Sequence, residues 1–293
     1  MAWKPSNADS LAADIHDYLR EKEKELPIFH AQSPQLSMRR YLVDWVALVA
    51  EKHDLTLCSK HVAVSLLDFF MDQYTINEPQ VKLVVLGCLI IACKLEEQEI
   101  NIPKSSTLNL LFTSPGYSPR QFMDTELLLL KSFDWKVAHT TASHFIDYFL
   151  SAAVNSSDIH NGRPLGAKRS KAREFVVRYC IYFLEVSLQG LDYRKLAPSM
   201  IAAASVMSTR VCLDLQPRWT QKLCDVTRYS SAQLGDCVVE MLKAHQRDRE
   251  ENDRRSKDQT EMSADVSEDQ GYASVLHTPA SSPSSNAHST ADS

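Results

Sequence analysis

The sequence predicts an all-α protein: two tandem five-helix domains, with an N-terminal helix ahead of them and a disordered, acidic C-terminal tail behind. Three observations lead there. Residues 1–245 carry apolar side chains at helical spacing and almost no strand-like alternation. Helix starts are marked by capping residues and first-turn prolines. The helices fall into two sets alike in kind and order, and in each set the third is the most apolar, as suits a central helix ringed by four neighbours.

The elements follow in chain order. Asp14 to Glu25 is an amphipathic segment with Ile15, Tyr18 and Leu19 on one side, ended by Pro27. The first set of helices runs roughly over 37–53, 59–75, 79–97, 103–112 and 119–133, the second roughly over 141–153, 167–189, 198–213, 217–226 and 230–246. These give residues 1–36 as helix and linker, 37–138 as the first domain, 139–246 as the second and 247–293 as the tail. Ser118-Pro119-Arg120-Gln121 combines an N-cap serine, a proline at the first helical position and a capping-box glutamine. Pro103, Pro198 and Pro217 suit first turns likewise, since proline there sacrifices no helical hydrogen bond. Leu83 to Cys93 contains no charge, so this helix is buried on all sides, yet its last turn carries Lys94. That cation needs a partner. It can complement the helix dipole, snorkel to water or pair locally with Glu97 or Gln98, or it can meet another chain.

Composition excludes several classes. The 293 residues are 44% hydrophobic, enough for sizeable cores, and the seven glycines form no phosphate-cradling cluster, which speaks against nucleotide binding. Seven cysteines, Cys58, Cys88, Cys93, Cys180, Cys212, Cys224 and Cys237, are scattered singly in apolar stretches without a CxxC pair and read as reduced core residues. The N-terminus lacks signal-peptide character, and no window reaches the roughly 18 apolar residues of a membrane span. A soluble protein of the nucleus or cytoplasm is expected, with no membrane partner and no cofactor. Residues 246–293 hold five Lys/Arg against ten Asp/Glu, a net of −5, which leaves 27 of each sign in residues 1–245. The whole excess lies in the tail, too polar to offset the entropy of ordering, although its first part, Gln246 to Lys257, mixes charges and can extend the preceding helix.

Four separated motifs now stand in order. They are Ile15-His16-Asp17-Tyr18-Leu19-Arg20-Glu21; Met38-Arg39-Arg40-Tyr41-Leu42-Val43-Asp44-Trp45; Ala92-Cys93-Lys94-Leu95-Glu96-Glu97 with Glu126 beyond it; and His144-Phe145-Ile146-Asp147-Tyr148-Phe149-Leu150. Over about 230 residues the chain resembles the cyclin family, most closely its J-type members, the second motif being similar to MRAILVDW and the third to ASKFEE. The two domains are then cyclin boxes. The resemblance implies a non-catalytic regulatory subunit that binds and activates a cyclin-dependent serine/threonine kinase in cell-cycle control. It implies that Lys94 and Glu126 hydrogen-bond kinase backbone, flanked by Leu95, Leu130, Trp135 and Val137. It also implies a groove for RxL-type substrate or inhibitor peptides around Met38, Leu42 and Trp45. There the sequence departs from the family: Leu48 replaces an acidic residue, Tyr41 an isoleucine, and Glu78 and Lys82 an arginine and a glutamine. Without its carboxylate the groove is expected to bind a cationic motif poorly.

The remaining motifs carry less. His139 and His144 are five apart, on different helix faces, and suit capping or the core; no metal site is expected. Arg163, Lys168, Arg169, Lys171 and Arg173 follow an Asn161-Gly162 turn and form a solvated basic face, a nuclear import signal or a phosphate contact. Thr278-Pro279 and Ser282-Pro283 are minimal proline-directed phosphorylation sites in the tail. Arg39-Arg40-Tyr41-Leu42 fits the RxxL of a destruction box only inside a helix. The alternatives are a cyclin-fold scaffold that binds a kinase weakly or not at all, and a transcription-factor-like adaptor, neither activating a kinase. The charge balance of residues 1–245 disfavours the DNA contact such an adaptor would make. No nucleophile–base pairing suggests an enzyme.

Overall fold

The computed structural model describes the backbone of residues 6–111 and 116–265, and the side chains of 11–111 and 116–256. Helix α1 (Ser6–Lys22) precedes two sets of five. The first is α2 (Arg39–Lys52), α3 (Leu57–Gln73), α4 (Glu78–Glu96), α5 (Ser105–Leu108) and α6 (Pro119–Ser132). The second is α7 (Ala142–Leu150), α8 (Arg169–Gln189), α9 (Pro198–Cys212), α10 (Gln221–Thr227) and α11 (Ser231–Asp265).

The two central helices are where the apolar pattern places them. Every residue from Leu83 to Cys93 is buried, with α3 and α6 packed against α4. In α9, Ile201 to Val206 are buried, and the small Ala202, Ala203, Ala204 and Ser205 admit α7 and α8 closely. Ser118 and Gln121 close the expected capping box on α6, and Pro198 opens α9 at its first turn.

Two helix starts differ from expectation. Pro103 lies ahead of α5, which is a single turn continued as a 3-10 turn over Asn109–Leu111. Past the end of α5 the Asn109 side chain is engaged by Tyr117: its Nδ2 donates to the Tyr117 carbonyl at 2.5 Å and its Oδ1 accepts from the Tyr117 amide at 2.9 Å. Pro217 likewise opens no helix. Gln216 is held extended by paired backbone hydrogen bonds with Ile159, of 2.8 and 2.9 Å, and α10 begins only after Thr220, whose hydroxyl accepts from the Leu223 amide. Ile159 belongs to a small hairpin, β1 (Ile159–His160) and β2 (Arg163–Pro164), turned by Asn161 and Gly162, both at positive φ.

Residues 246–293 form a separate unit, described as helix to Asp265, with exposed ion pairs between Glu250 and Arg254 and between Glu251 and Arg255. The helix therefore continues past Lys257. The expectation of disorder beyond 265, with Thr278 and Ser282, lies outside the described residues. All seven cysteines are free thiols. Among the described residues, no helix is long and apolar enough to cross a membrane.

Two buried ion pairs lock the cores. In the second set, the fully buried Arg210 donates to Asp158 at 2.8 and 3.1 Å and to the carbonyls of Ala153 and Pro217 at 2.6 Å each, which satisfies the guanidinium fork. In the first, Arg39 holds Asp68 bidentately at 2.7 and 2.9 Å and reaches the Leu188 and Gln189 carbonyls at the end of α8, while Arg194 approaches Asp68 from the other side. This network joins the two sets. Helix α1 docks on the second set through His16, whose buried ring stacks on Tyr148 at 4.8 Å, and through Arg20 and Glu23, which engage Tyr229 and Ser199. Ile15 and Tyr18, expected on the apolar side, are more than half exposed; the aromatic cluster of α7 accepts the flat His16 ring instead.

Candidate functional site

Lys94 ends the buried helix α4 with its side chain 49% exposed, and its Nζ meets Glu126 Oε1 of α6 at 2.5 Å. The expected local pairing with Glu97 is not made. Glu97 is engaged elsewhere, accepting from the Thr56 amide and the Ser59 hydroxyl at 2.6 Å each. One glycine sets the distance between the two helices. A Cβ on Gly87 would lie 2.7 Å from Leu129 Cδ1 and 3.1 Å from Thr125 Cγ2, so only glycine lets α6 approach α4 this closely. Glu126 stands next to Thr125 and is positioned by that approach.

The pair sits among exposed apolar side chains. Leu95 is 43% exposed, and α6 adds the exposed Met123 and Leu127, with Leu128 exposed on its opposite side; none of these three was singled out from sequence. By spacing, Met123, Glu126, Leu127 and Leu130 share one helical face. Leu130 is half-buried against the first core, and Val137 is buried within it. Trp135 is 63% exposed and held at φ +63°, directly after Asp134 at φ +48°. A left-handed tryptophan costs on the order of 1–3 kcal/mol and persists only where its surroundings over-determine it. Here the Trp135 amide donates to the Leu130 carbonyl at 2.9 Å, turning the chain out of α6 and leaving the indole outside. Below it, Tyr18, Lys22, Glu96, Trp135 and His144 line a cleft of about 750 Å³.

The second candidate face is less open. Leu42 is buried in the first core, Met38 and Trp45 are half-buried, and Lys82 lies over the Trp45 ring at 6.0 Å. Tyr41 and Leu48 are exposed at 55% and 59%. The position that would have carried an acid presents an isobutyl group to solvent, and a positive charge, that of Lys82, lies over the indole. The basic residues Lys168, Arg169, Lys171 and Arg173 are exposed around the start of α8, with Arg163 in the hairpin.

His139 and His144 do not form a pair. His139 is buried beside Ser65 at 3.0 Å, and burial, with the nearby Arg194 charge, lowers its pKa to about 4. His144 closes the cap of α7 through Thr141 and turns Nε2 to Glu96 at 3.2 Å. Sequence reasoning missed Arg39, Asp68, Asp158 and Arg210 as well. A lone arginine in the apolar Ile201-to-Cys212 stretch was a legible signal for the last of these.

Comparison with known proteins gives these arrangements a context. The family described as "Cyclin, N-terminal domain" matches residues 14–138, and "Cyclin, C-terminal domain" matches residues 140–275. Cyclin-J of Xenopus laevis is 40% identical over 250 residues, covering 84% of this chain and 64% of the relative. Cyclin-J of Homo sapiens is 41% identical over 261 residues, covering 88% and 67%. The chain thus spans about two thirds of the length of these relatives. Among solved structures, a viral cyclin from Herpesvirus saimiri superposes with a TM-score of 0.61 at 17% identity, covering 78% of this chain and 95% of that one. At that identity the likeness concerns the fold.

Proposed function

The chain belongs to the cyclin family, and we propose that it is the regulatory subunit of a cyclin-dependent serine/threonine kinase, which it binds and activates in cell-cycle control. The observation that carries this reading is the Lys94–Glu126 pair, its lysine half-exposed, with the exposed Leu95 next to Lys94 in sequence, Met123 and Leu127 on the Glu126 face of α6, and Trp135 exposed just beyond that helix. A monomer gains little from such a face. A charge-assisted pair that can exchange its internal bond for a partner's backbone carbonyls and amides, ringed by apolar surface, has the character of an interface centre.

The mechanism is a population shift. A kinase alone visits an inactive arrangement in which its catalytic ion pair is broken, and a rigid helical surface that fits only the active arrangement favours it. Moving that equilibrium from 1:99 to 99:1 takes roughly 5.5 kcal/mol of differential affinity, within reach of an extensive helix-on-helix interface. This chain supplies shape and hydrogen bonds and no reacting group. Rigidity here comes from the buried α4 and from Gly87, which fixes α6 against it. Substrate recruitment through the Trp45 face takes no ordinary RxL motif in this reading, and the protein works in the nucleus or cytoplasm.

Affinity purification of the wild type beside a Lys94→Glu/Glu126→Ala variant, with kinase identification and a histone kinase assay, tests the proposal. A stoichiometric kinase recovered active with the wild type and lost with the variant is expected. Equal recovery from both would exclude this face.

A further inference from the structure

Cys58, Glu96 and His144 come from α3, α4 and α7 and meet where the first set of helices adjoins the second. One ligand atom from each, a sulfur, an oxygen and a nitrogen, lies within 4.8 Å of the other two, and all three residues are half-buried. The geometry is close to that of a tetrahedral cation site. With bonds of about 2.0–2.1 Å to nitrogen and oxygen, adjacent N and O ligands stand about 3.3 Å apart, and a sulfur bonded at about 2.3 Å stands about 3.5 Å from either. His144 Nε2 and Glu96 Oε1 are already 3.2 Å apart. The Cys58 sulfur would need to close by at most about 1.3 Å, within the swing of one side-chain torsion.

The surroundings favour positive charge. The carboxylates of Glu96, Asp147 and Glu97 all act on the Cys58 sulfur. Among the described residues no lysine or arginine forms an ion pair with any of those three carboxylates, and Glu96 has only His144. A divalent cation would balance one thiolate and one carboxylate. His144 also has the outer partner that a ligating imidazole needs. Its Nδ1 lies 2.9 Å from Thr141 Oγ1 and 3.0 Å from the Thr141 amide. In the cation-free state that amide donates to Nδ1 and Nε2–H donates to Glu96. With a cation on Nε2, the proton moves to Nδ1 and donates to Thr141 Oγ1, and the amide hydrogen bond is given up. Glu96 and His144 line the 750 Å³ cleft, which offers an entry path and room for a water as fourth ligand.

We propose that Cys58, Glu96 and His144 form a site for a zinc-class divalent cation that ties α3 and α4 to α7. On binding, the Cys58 S–H proton is released to solvent and a metal–sulfur bond forms. Glu96 stands two residues beyond Lys94 in sequence.

The test uses the purified full chain, stripped with chelator and titrated with Zn²⁺ by calorimetry and with Co²⁺ by absorption. One equivalent of Zn²⁺ should bind and raise the melting temperature, and Co²⁺ should give a thiolate-to-cobalt charge-transfer band that Cys58→Ser abolishes. Thr141→Val should keep the band and weaken binding about 10–100-fold. His144→Gln carries the same expectation as Cys58→Ser and is read in its place if that variant melts abnormally in chelator. Absence of the band in the wild type, or its persistence in Cys58→Ser or His144→Gln, would overturn the assignment.

Discussion

Gly87→Ala introduces a single methyl group where α4 and α6 touch, 2.7 Å from Leu129 Cδ1 and 3.1 Å from Thr125 Cγ2. Ordinary carbon–carbon contact begins at about 3.5 Å, so the wall must retreat by about 0.8 Å. Leu129 is fully buried, so its branch meets other core atoms if it turns away, and part of the retreat is taken up by α6. Overpacking of this kind costs about 1–3 kcal/mol, offset by about 1 kcal/mol because alanine is the better helix former. The net loss, about 0–2 kcal/mol, corresponds to a fall in melting temperature of at most about 8 °C for a domain of this size. The functional effect should exceed the thermal one. A retreat of α6 by at most about 0.8 Å opens the Lys94–Glu126 contact from 2.5 Å to at most about 3.3 Å and tilts the exposed face of α6, so kinase affinity should fall with the fold intact. Calorimetric melting and kinase binding on Gly87→Ala, Leu129→Ala and the double variant make the check. Removing the Leu129 branch frees the space the new methyl requires, so the double variant should lose less stability than the two single losses together, with a coupling of about 0.5 kcal/mol or more. Strictly additive losses, or kinase affinity untouched in Gly87→Ala, would refute the steric account.

Three further outcomes are expected. Asp158→Ala leaves the fully buried Arg210 without its carboxylate and should cost about 3–5 kcal/mol, seen as a large drop in the urea midpoint; a loss below about 1 kcal/mol would mean that the surrounding carbonyls suffice. Stability should fall between pH 6.5 and about 4. Burial, then the charge of Lys60, lowers His61 to about 3, and burial, then Arg194, lowers His139 to about 4, so the unfolded chain binds protons in this window that the folded chain does not, at about 1.4 kcal/mol per pH unit for each group. Urea titrations at pH 7 and 5 should show the decline, flattened in His61→Asn/His139→Asn; stability that rises on acidification would contradict it. A standard RxL peptide should bind only weakly, because Leu48 offers no carboxylate and Lys82 lies over Trp45; tight binding lost on Trp45→Ala would reverse this reading.

What the sequence made legible was what local chemistry dictates. The uncharged run from Leu83 to Cys93 could only be a fully buried helix, Ser118 to Gln121 could only be a helix start, and Lys94 stood out because a cation at that place needs an explanation. Where a distant partner decides, the reading failed. Pro217 looks like a first-turn proline until Ile159, far away in sequence, holds Gln216 extended. Of the apolar side read at Ile15, Tyr18 and Leu19, only Leu19 packs on the second core, because the aromatic rings of α7 take His16 and leave Ile15 and Tyr18 exposed. Glu126 was found beside Lys94 through resemblance, but the reason the two helices can bring them together, the missing Cβ of Gly87, appears only in three dimensions. The same holds for Cys58, Glu96 and His144, whose separations in sequence give no metal-ligand spacing.

The central claim, that Lys94 and Glu126 exist to hold a kinase, is tested most directly by measuring stability and kinase affinity side by side in Lys94→Ala, Glu126→Ala and the double variant. Lys94 is half-exposed and Glu126 still one-fifth exposed within the chain, so loss of the pair should cost at most about 1 kcal/mol of folding, a shift of about 2–4 °C. Desolvated in an interface, truncating either partner should cost about 2–5 kcal/mol of binding, a fall in affinity of about 30-fold or more. Kinase affinity that collapses while melting barely moves is the predicted result. Melting that drops while kinase affinity stays constant would contradict the account and make the pair a brace between α4 and α6.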